Sequence, residues 1–277
     1  MDEFQDVLAA CDFAPPETRD CSRCNRPKRV CLCSCLPAER LRLEGRFILL
    51  QHPFEERRRL ATVPIASAAL ENFEIIKGRS FGPQKSEALR QLVEDAQKGL
   101  CVLYVLFPGP GAVPLAQAIE EQKRKLDPGN ESSDQMKDYG LIVIDGTWKE
   151  AKEIFKASSS WWLPPHGPGI RVEVSKHSST RREGVLRMEP WEGCMSTVEA
   201  IAGALRLLES YGQRIHDALV TPFHKMVDIQ CQHNEALVAR RNGDMPVVVS
   251  TKKRLGTGAL PKTEDCEDFF VRVRSDG

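Results

Sequence analysis

The sequence contains no run of about eighteen apolar residues, the length that a membrane-spanning helix needs. It also lacks a net charge, because Lys+Arg and Asp+Glu both number 39. The first absence predicts a soluble protein with no membrane partner. The second removes the long-range positive field that often marks a nucleic-acid-binding protein, so RNA binding would have to rest on local basic patches.

Three short basic runs are candidates for such patches: Arg57-Arg58-Arg59, Arg181-Arg182 and Lys252-Lys253-Arg254. Runs of this length are also common on ordinary solvated surfaces, so both interpretations stay open.

The first residues, MDEFQDVL, lack the basic residues of a secretory signal and carry acids that an organellar transit peptide avoids. We therefore expect a cytoplasmic and/or nuclear protein. Residues 1–20 contain Pro15-Pro16 and no sustained period, which predicts a mobile leader, and residues 244–277 predict a poorly ordered tail.

Apolar runs alternate with helical patterns along the middle of the chain. The runs predict buried strands at 47–51, 73–77, 101–107, 141–145 and 170–174. The patterns predict helices at 56–70, 86–98, 112–125, 147–157, 196–211 and 214–241. A surface loop is expected at 127–138, and a structured loop is expected at 161–169, where Pro and Gly are frequent. The alternation predicts an α/β fold with a mostly parallel sheet.

Five of the ten cysteines lie between residues 21 and 35, and this clustering favours metal binding over disulfides in a reducing compartment. Cys21, Cys24, Cys31 and Cys33 have a C-x2-C-x6-C-x-C spacing, which predicts a tetrahedral structural Zn²⁺ site in a knuckle over 21–40. Cys35 competes for the last two positions, and we favour Cys31 and Cys33. The alternative is a set of free cysteines in a flexible loop. Four basic residues interleave with the cysteines and could face a phosphate backbone: Arg23, Arg26, Lys28 and Arg29.

Asp145 stands at the carboxyl end of a predicted strand, in the sequence LIVIDGTWKEAKEIF. Ligands of parallel sheets gather outside such strand ends. Thr147 and Glu150 have the spacing of a helix capping box, with Gly146 easing the turn. The capping box explains those two residues but leaves the carboxylate of Asp145 unexplained.

Three further junctions have a similar form. Ser196 and Glu199 are spaced as a second capping box, in CMSTVEAIAGALRLL, and two such helix starts could hold an anionic group in one cleft. His52 follows the first strand and precedes a proline, which favours extended geometry there. The sequence FPGPG, at 107–111, is typical of a tight loop. Each of these features is also explained by local structure alone.

Taken together, these junctions resemble the DTW-domain family, the tRNA-uridine aminocarboxypropyltransferases, of the type of the second human paralogue. The matching pieces run in the family's order from about residue 20 to 235: CSRCNRPKRVCLC, LLQHPFEE with RLATVP, LFPGPG, IDGTWKEAKEIF, LRMEP and CMSTVEA.

The resemblance implies a SPOUT-like, knotted catalytic domain over 41–243 that binds S-adenosylmethionine. It implies transfer of the 3-amino-3-carboxypropyl group to N3 of a uridine in tRNA, with release of methylthioadenosine. Uridine N3 carries a proton, so a general base is needed, and Asp145 is the candidate. An aspartate is a weak base, so it would need burial or would act by orienting the N3–H group.

The resemblance also implies roles for other residues. Glu199 would either cap its helix or contact the donor's α-amino group, and Trp148 would stack on adenine or pack beneath the turn. The expected donor-binding residues are Pro108, Gly109, Thr147, Trp148, Arg187, Ser196, Thr197 and Glu199. The expected RNA-binding residues are Gln51, His52, Arg57, Arg58, Arg181 and Arg182.

The sequence departs from the family pattern at Phe107, where a tyrosine is frequent, and in the longer segment 127–138. Two other functions compete with the transferase. A SPOUT-type RNA methyltransferase would use the same cleft and release S-adenosylhomocysteine. A non-catalytic zinc-containing RNA-binding protein would tolerate replacement of Asp145. The sequence leaves monomer and dimer equally open.

Overall fold

A computed structural model describes residues 19–58, 60–126, 138–174 and 195–232. These residues form a six-stranded sheet in the order β2-β1-β5-β3-β6-β4, in which all neighbouring strands are parallel. The strands are β1 (Arg46–Gln51), β2 (Phe73–Lys77), β3 (Val102–Leu106), β4 (Val113–Pro114), β5 (Tyr139–Asp145) and β6 (Ile170–Glu173). The predicted α/β class with a mostly parallel sheet is confirmed.

Six α-helices accompany the strands in the described part of the chain. They are α1 (Val63–Ala69), α2 (Glu87–Gln97), α3 (Leu115–Leu126), α4 (Trp148–Trp162), α5 (Thr197–Leu208) and α6 (Gly212–Gln232). Short 3-10 helices lie at Lys28–Val30, Cys33–Cys35 and Glu55–Arg57.

Side chains alternate along the strands and divide the core between the two faces of the sheet. Phe47 and Leu49 of β1 pack on the face that α1, α3, α5 and α6 cover. Ile48 and Leu50 pack on the opposite face, against α2 and α4. Every residue of the central strand β5 is buried, so a polar side chain on it has to be partnered by neighbouring residues.

The amino end of β5 is tied to the turn between α5 and α6. The Tyr139 hydroxyl donates to the buried carboxylate of Glu209, and the backbone N–H groups of Glu44 and Gly45 donate to the same carboxylate at 3.0 and 3.4 Å. Burial, followed by the charge of Glu209, raises the pKa of Tyr139. Tyr211, in this turn, is 70% exposed.

Two of the predicted helix boundaries were wrong by five residues or more. The helix expected at 56–70 begins only at Val63, with Pro64 in its first turn, a position that proline favours. Helix α4 continues to Trp162 instead of ending at 157, so Trp161 and Trp162 are helical and not part of a loop. It ends before Pro164 and Pro165, because the residue preceding a proline disfavours helical geometry.

Strand β4 was not predicted, because a run of two residues carries too little pattern. Its residues were assigned to the helix expected at 112–125, which begins only at Leu115.

Some expectations concern residues outside the described ranges and remain predictions. They involve the leader over 1–18, Arg59, the segment 127–137, Arg181, Arg182, Arg187, the Lys252-Lys253-Arg254 run and the tail over 244–277. Among the described helices, none is long and apolar enough to cross a bilayer.

Candidate functional site

Asp145 is the last residue of β5 and lies beside Gln51, the last residue of β1. Its side chain is 4% exposed. Gln51 Nε2 donates to one carboxylate oxygen at 2.9 Å, and Thr197 Oγ1 donates to the other at 2.6 Å. Asp145 therefore joins a strand end to the first residue of α5, and these bonds fix the orientation of its carboxylate.

Both predicted capping boxes are present. The Thr147 backbone N–H and hydroxyl donate to Glu150 at 2.8 and 2.7 Å, and Thr147 Oγ1 accepts from the Glu150 N–H. At α5, the Ser196 N–H donates to Glu199 at 2.6 Å, and Ser196 Oγ accepts from the Glu199 N–H. The amino end of α4 thus follows Asp145 closely in the chain, and the amino end of α5 contacts its carboxylate through Thr197.

This arrangement occupies hydrogen-bond donors that the sequence assigned to a ligand. The Thr147 hydroxyl donates to Glu150, and the Thr197 hydroxyl donates to Asp145. Ser196 Oγ is used as an acceptor in its cap, which leaves its hydroxyl proton for another partner. The two threonines therefore position carboxylates, and Ser196 is the hydroxyl better suited to donate to a ligand.

His52 is buried at the same edge, with 1% of its surface exposed. Its backbone N–H donates to the Asp145 carbonyl at 2.8 Å. Its Nδ1 lies 3.3 Å from the Phe54 backbone nitrogen and 3.4 Å from a carboxylate oxygen of Glu150, and its other ring nitrogen, Nε2, is also buried. Among the described residues no partner lies within hydrogen-bond distance of that Nε2. A buried polar atom of this kind indicates a polar group of a ligand or solvent close by.

An ion-pair network holds the turn after His52 against α4. Arg58 contacts Glu55 at 2.6 Å and Glu150 at 3.0 Å, and Glu55 is 1% exposed. Burial acts to raise the pKa of Glu150, but hydrogen bonds from Thr147 and the charge of Arg58 outweigh it and lower that pKa below its usual value. The guanidinium of Arg58, expected at RNA, is thus engaged within the protein, whereas Arg57 is exposed.

Arg171 of β6 holds the loop that follows β3. Its guanidinium donates to the carbonyls of Phe107, Pro108 and Pro110 at 2.8, 2.5 and 2.6 Å, and lies over the ring of Phe107. Burial lowers the pKa of Arg171. Phe107 is buried and stacks on Phe155 with ring centroids 4.2 Å apart, so apolar packing occupies the position where a hydroxyl was expected.

The loop places Pro108 and Gly109 after the carboxyl end of β3, the strand that pairs with β5. Gly109 and Gly111 adopt φ angles of 118° and 80°, which favour glycine. Trp148 is the first residue of α4 and is half-buried, so stacking on a ligand and packing beneath the turn both stay possible roles.

The structure brings together the four cysteines that the spacing favoured. The sulfurs of Cys21, Cys24, Cys31 and Cys33 all lie within 4.8 Å of one another, with 3.5 Å between Cys21 and Cys33 and 3.6 Å between Cys24 and Cys31. Sulfurs bound to one tetrahedral Zn²⁺ at about 2.3 Å are about 3.8 Å apart, so the group fits such an ion. Cys35 lies outside it.

The electrostatics of this group also suit a cation. Backbone hydrogen bonds from Cys24 and Arg23 lower the pKa of Cys21 to about 6. Burial, followed by the neighbouring sulfurs, raises the pKa of Cys33 to about 12. A cation at the centre would remove this mutual repulsion and hold the cysteines as thiolates.

The basic residues of this segment are engaged to different degrees. Arg26 donates to the Met226 sulfur on α6 at 2.8 Å, and burial lowers its pKa. Arg23 donates to the carbonyls of Pro37 and Ala38. Arg29 is exposed, which leaves it available to a phosphate.

Sequence reasoning placed Gln51, His52, Asp145 and the two helix starts at one edge, and the structure brings them together there. It missed Arg171, although an arginine inside the apolar run IRVEV was a usable signal. It also missed Glu55, whose burial depends on contacts that a local pattern does not contain.

Comparisons with known proteins identify the family of the chain. The model of the DTW domain family matches residues 18–231. The chain is 33% identical over 242 residues to tRNA-uridine aminocarboxypropyltransferase 2 of Mus musculus, covering 85% of this chain and 73% of the relative. It is 32% identical to tRNA-uridine aminocarboxypropyltransferase 2 of Drosophila melanogaster, covering 83% and 82%. It is also 32% identical to tRNA-uridine aminocarboxypropyltransferase A of Arabidopsis thaliana, covering 79% and 84%. No solved structure matches the chain.

Proposed function

The chain belongs to the DTW-domain family, and from this we propose that it is a tRNA-uridine aminocarboxypropyltransferase. It transfers the 3-amino-3-carboxypropyl group of S-adenosylmethionine to N3 of a uridine in tRNA and releases methylthioadenosine. The observation that carries the proposal is the match over 18–231, together with relatives of this name that align along most of both chains.

The residues at the strand ends fit a donor of this chemistry. The buried Nε2 of His52 has no partner among the described residues, and Ser196 retains a hydroxyl proton. Pro108 and Gly109 of the loop after β3 would line the donor with Trp148, while Glu199 is close to the amino end of α5 and suits an α-amino cation. When bound, S-adenosylmethionine supplies a carbon that its sulfonium activates for attack.

Asp145 would orient and deprotonate the uridine. A carboxylate offers about four acceptor positions, and Gln51 and Thr197 use two of them. The remaining positions can accept the uracil N3–H group, and transfer of that proton makes N3 a nucleophile. The bonds from Gln51 and Thr197 hold the carboxylate still during this step, which reduces the reorganisation needed at the moment of reaction.

We further propose the SPOUT-like knotted topology that the family resemblance implies. The strand order, in which β5 lies between β1 and β3, is compatible with such a topology. The cysteine group would hold a structural Zn²⁺, since its four sulfurs fit a tetrahedral site. tRNA is the proposed partner, and the protein is proposed to act in the cytoplasm and/or nucleus.

Identification of the spent donor tests the reaction. Purified protein is incubated with bulk tRNA and S-adenosylmethionine, and the nucleoside products of the donor are separated by liquid chromatography. The proposal predicts methylthioadenosine. S-adenosylhomocysteine would instead assign an RNA methyltransferase, and an intact donor would favour a non-catalytic RNA-binding protein.

A further inference from the structure

Phe54 is a large apolar side chain that lies at the rim of the site. Of its surface 54% is exposed, although His52, two residues earlier, is 1% exposed. The His52 N–H donates to the Asp145 carbonyl, and two residues of chain span at most about 7 Å, so Phe54 lies near the carboxyl end of β5. A single exposed apolar residue is common on protein surfaces and does not by itself indicate a binding site, so the surroundings of Phe54 are decisive.

The ring of Phe54 is held in place. Its backbone N–H donates to His52 Nδ1 at 3.3 Å, and its ring packs edge-on to the imidazole with centroids 5.1 Å apart. The 3-10 turn that follows is anchored to α4 by Arg58, which contacts Glu55 and Glu150. An aromatic ring fixed in advance loses little conformational entropy when another planar group stacks on it.

The charges around Phe54 favour a polyanion. The Arg79 guanidinium lies over one face of the ring, 5.2 Å from its centroid, and Arg57 is exposed on the same turn. The acids nearby are neutralised, because Glu55 pairs with Arg58 and Glu56 pairs with Lys77 at 2.6 Å. An exposed aromatic ring beside exposed arginines is an arrangement with which proteins bind single-stranded nucleic acid.

We propose that Phe54 is a stacking platform for a nucleobase of the RNA substrate, the base next to the target uridine, which would stack on the ring face opposite Arg79. The inference rests on the proposed function, because it takes Asp145 as the position of the target uracil. Asp145 is 4% exposed and Phe54 is 54% exposed, so the base on Phe54 lies at the rim while the target base enters the cleft. Stacking of this kind tolerates any base, so Phe54 would contribute affinity and position rather than base identity.

Replacement of the aromatic ring tests the proposal. The dissociation constant for tRNA is measured by fluorescence anisotropy for the parent, Phe54→Ala and Phe54→Trp, in the absence of donor. We expect Phe54→Ala to weaken binding by about 5- to 150-fold, the equivalent of about 1–3 kcal/mol for one stacked base, and Phe54→Trp to bind like the parent. Tyr211→Ala is the matched control, because Tyr211 is a 70% exposed aromatic residue at the opposite, amino edge of the sheet.

The salt dependence separates stacking from charge. Phe54→Ala should leave the slope of log affinity against log salt unchanged, whereas Arg79→Gln should reduce it by about 0.7–0.9. The additional tryptophan of Phe54→Trp should be quenched by tRNA.

Equal tRNA affinity for Phe54→Ala and the parent would overturn the stacking proposal. So would a change in oligomeric state with unchanged tRNA affinity, measured by light scattering, because it would assign Phe54 to a protein contact. Weakened binding by Phe54→Ala with no transfer by the parent would support stacking and reject the proposed function. Transfer by the parent together with unchanged tRNA binding by Phe54→Ala would support the proposed function and reject stacking on Phe54. A parent that does not bind tRNA would overturn both the proposed function and the stacking proposal.

Discussion

Replacement of Asp145 by Asn removes the charge of the proposed base while keeping its shape. The Gln51 amide can turn so that its oxygen accepts from the new amide, and Thr197 can still donate to the remaining oxygen. Two hydrogen bonds to a charged group become hydrogen bonds between neutral groups, and each change costs about 1 kcal/mol. The free energy of unfolding should therefore fall by about 2 kcal/mol. A loss of this size lowers the melting temperature by a few degrees and leaves the protein folded.

The effect of Asp145→Asn on turnover should be much larger. Positioned acid–base groups contribute about 10²- to 10⁴-fold to rates, so single-turnover transfer at saturating tRNA should slow by that factor. Thr197→Val is the matched control, since it removes one hydrogen bond to the carboxylate but leaves the carboxylate in place. We expect it to cost similar stability and to slow transfer by no more than about tenfold.

Transfer by Asp145→Asn within about tenfold of the parent, at equal tRNA affinity, would refute the assignment of Asp145 as base or orienting group. The melting temperature of the same sample shows whether Asp145→Asn is folded, so a loss of transfer can be distinguished from a loss of structure.

Three further changes test other parts of the structure. Loss of a residue that only supports a metal ligand weakens metal binding by about 10- to 100-fold, and Cys33→Ser, which removes a proposed ligand, should weaken it more. Metal content after dialysis measures this effect, and Cys35→Ser should retain as much metal as the parent. Glu150→Gln should destabilise the protein by about 1–3 kcal/mol at neutral pH in urea unfolding. The pKa of Glu150 in the folded protein is below its usual 4.5, so its carboxylate stabilises the fold fully above pH 4.5 and less as the pH falls through the folded-state pKa. The difference in unfolding free energy between Glu150→Gln and the parent should therefore become smaller in acid. Arg171→Gln removes three bonds to carbonyls after β3 and should raise the KM for S-adenosylmethionine by up to about 100-fold, with a smaller effect on tRNA affinity.

The strands could be located from the sequence because each is a short apolar run bounded by turn residues. Strand β2 has the predicted limits 73–77, and the other predicted strands differ by one or two residues at an end. The start of α1 was placed too early because charged residues from 56 onward fit a helical period. Pro64 was the overlooked signal, since proline favours the first turn of a helix.

The candidate site also contains some features that adjacent residues determine and others that depend on contacts between distant residues. Asp145 and the capping boxes were predictable because neighbouring residues in the sequence determine strand ends and helix caps. The cysteine group was predictable for the same reason. The bonds from Arg171 join residues more than sixty positions apart in the chain, and only the fold brings them together.

The most direct test of the account follows the donor carbons into the tRNA. The protein is incubated with tRNA and S-adenosylmethionine labelled with carbon-13 in the aminocarboxypropyl carbons and unlabelled at the methyl group, and the digested nucleosides are analysed by mass spectrometry. The account predicts a uridine that carries the whole labelled group on N3, formed together with methylthioadenosine. A nucleoside that gains only an unlabelled methyl group, formed together with S-adenosylhomocysteine, would contradict it.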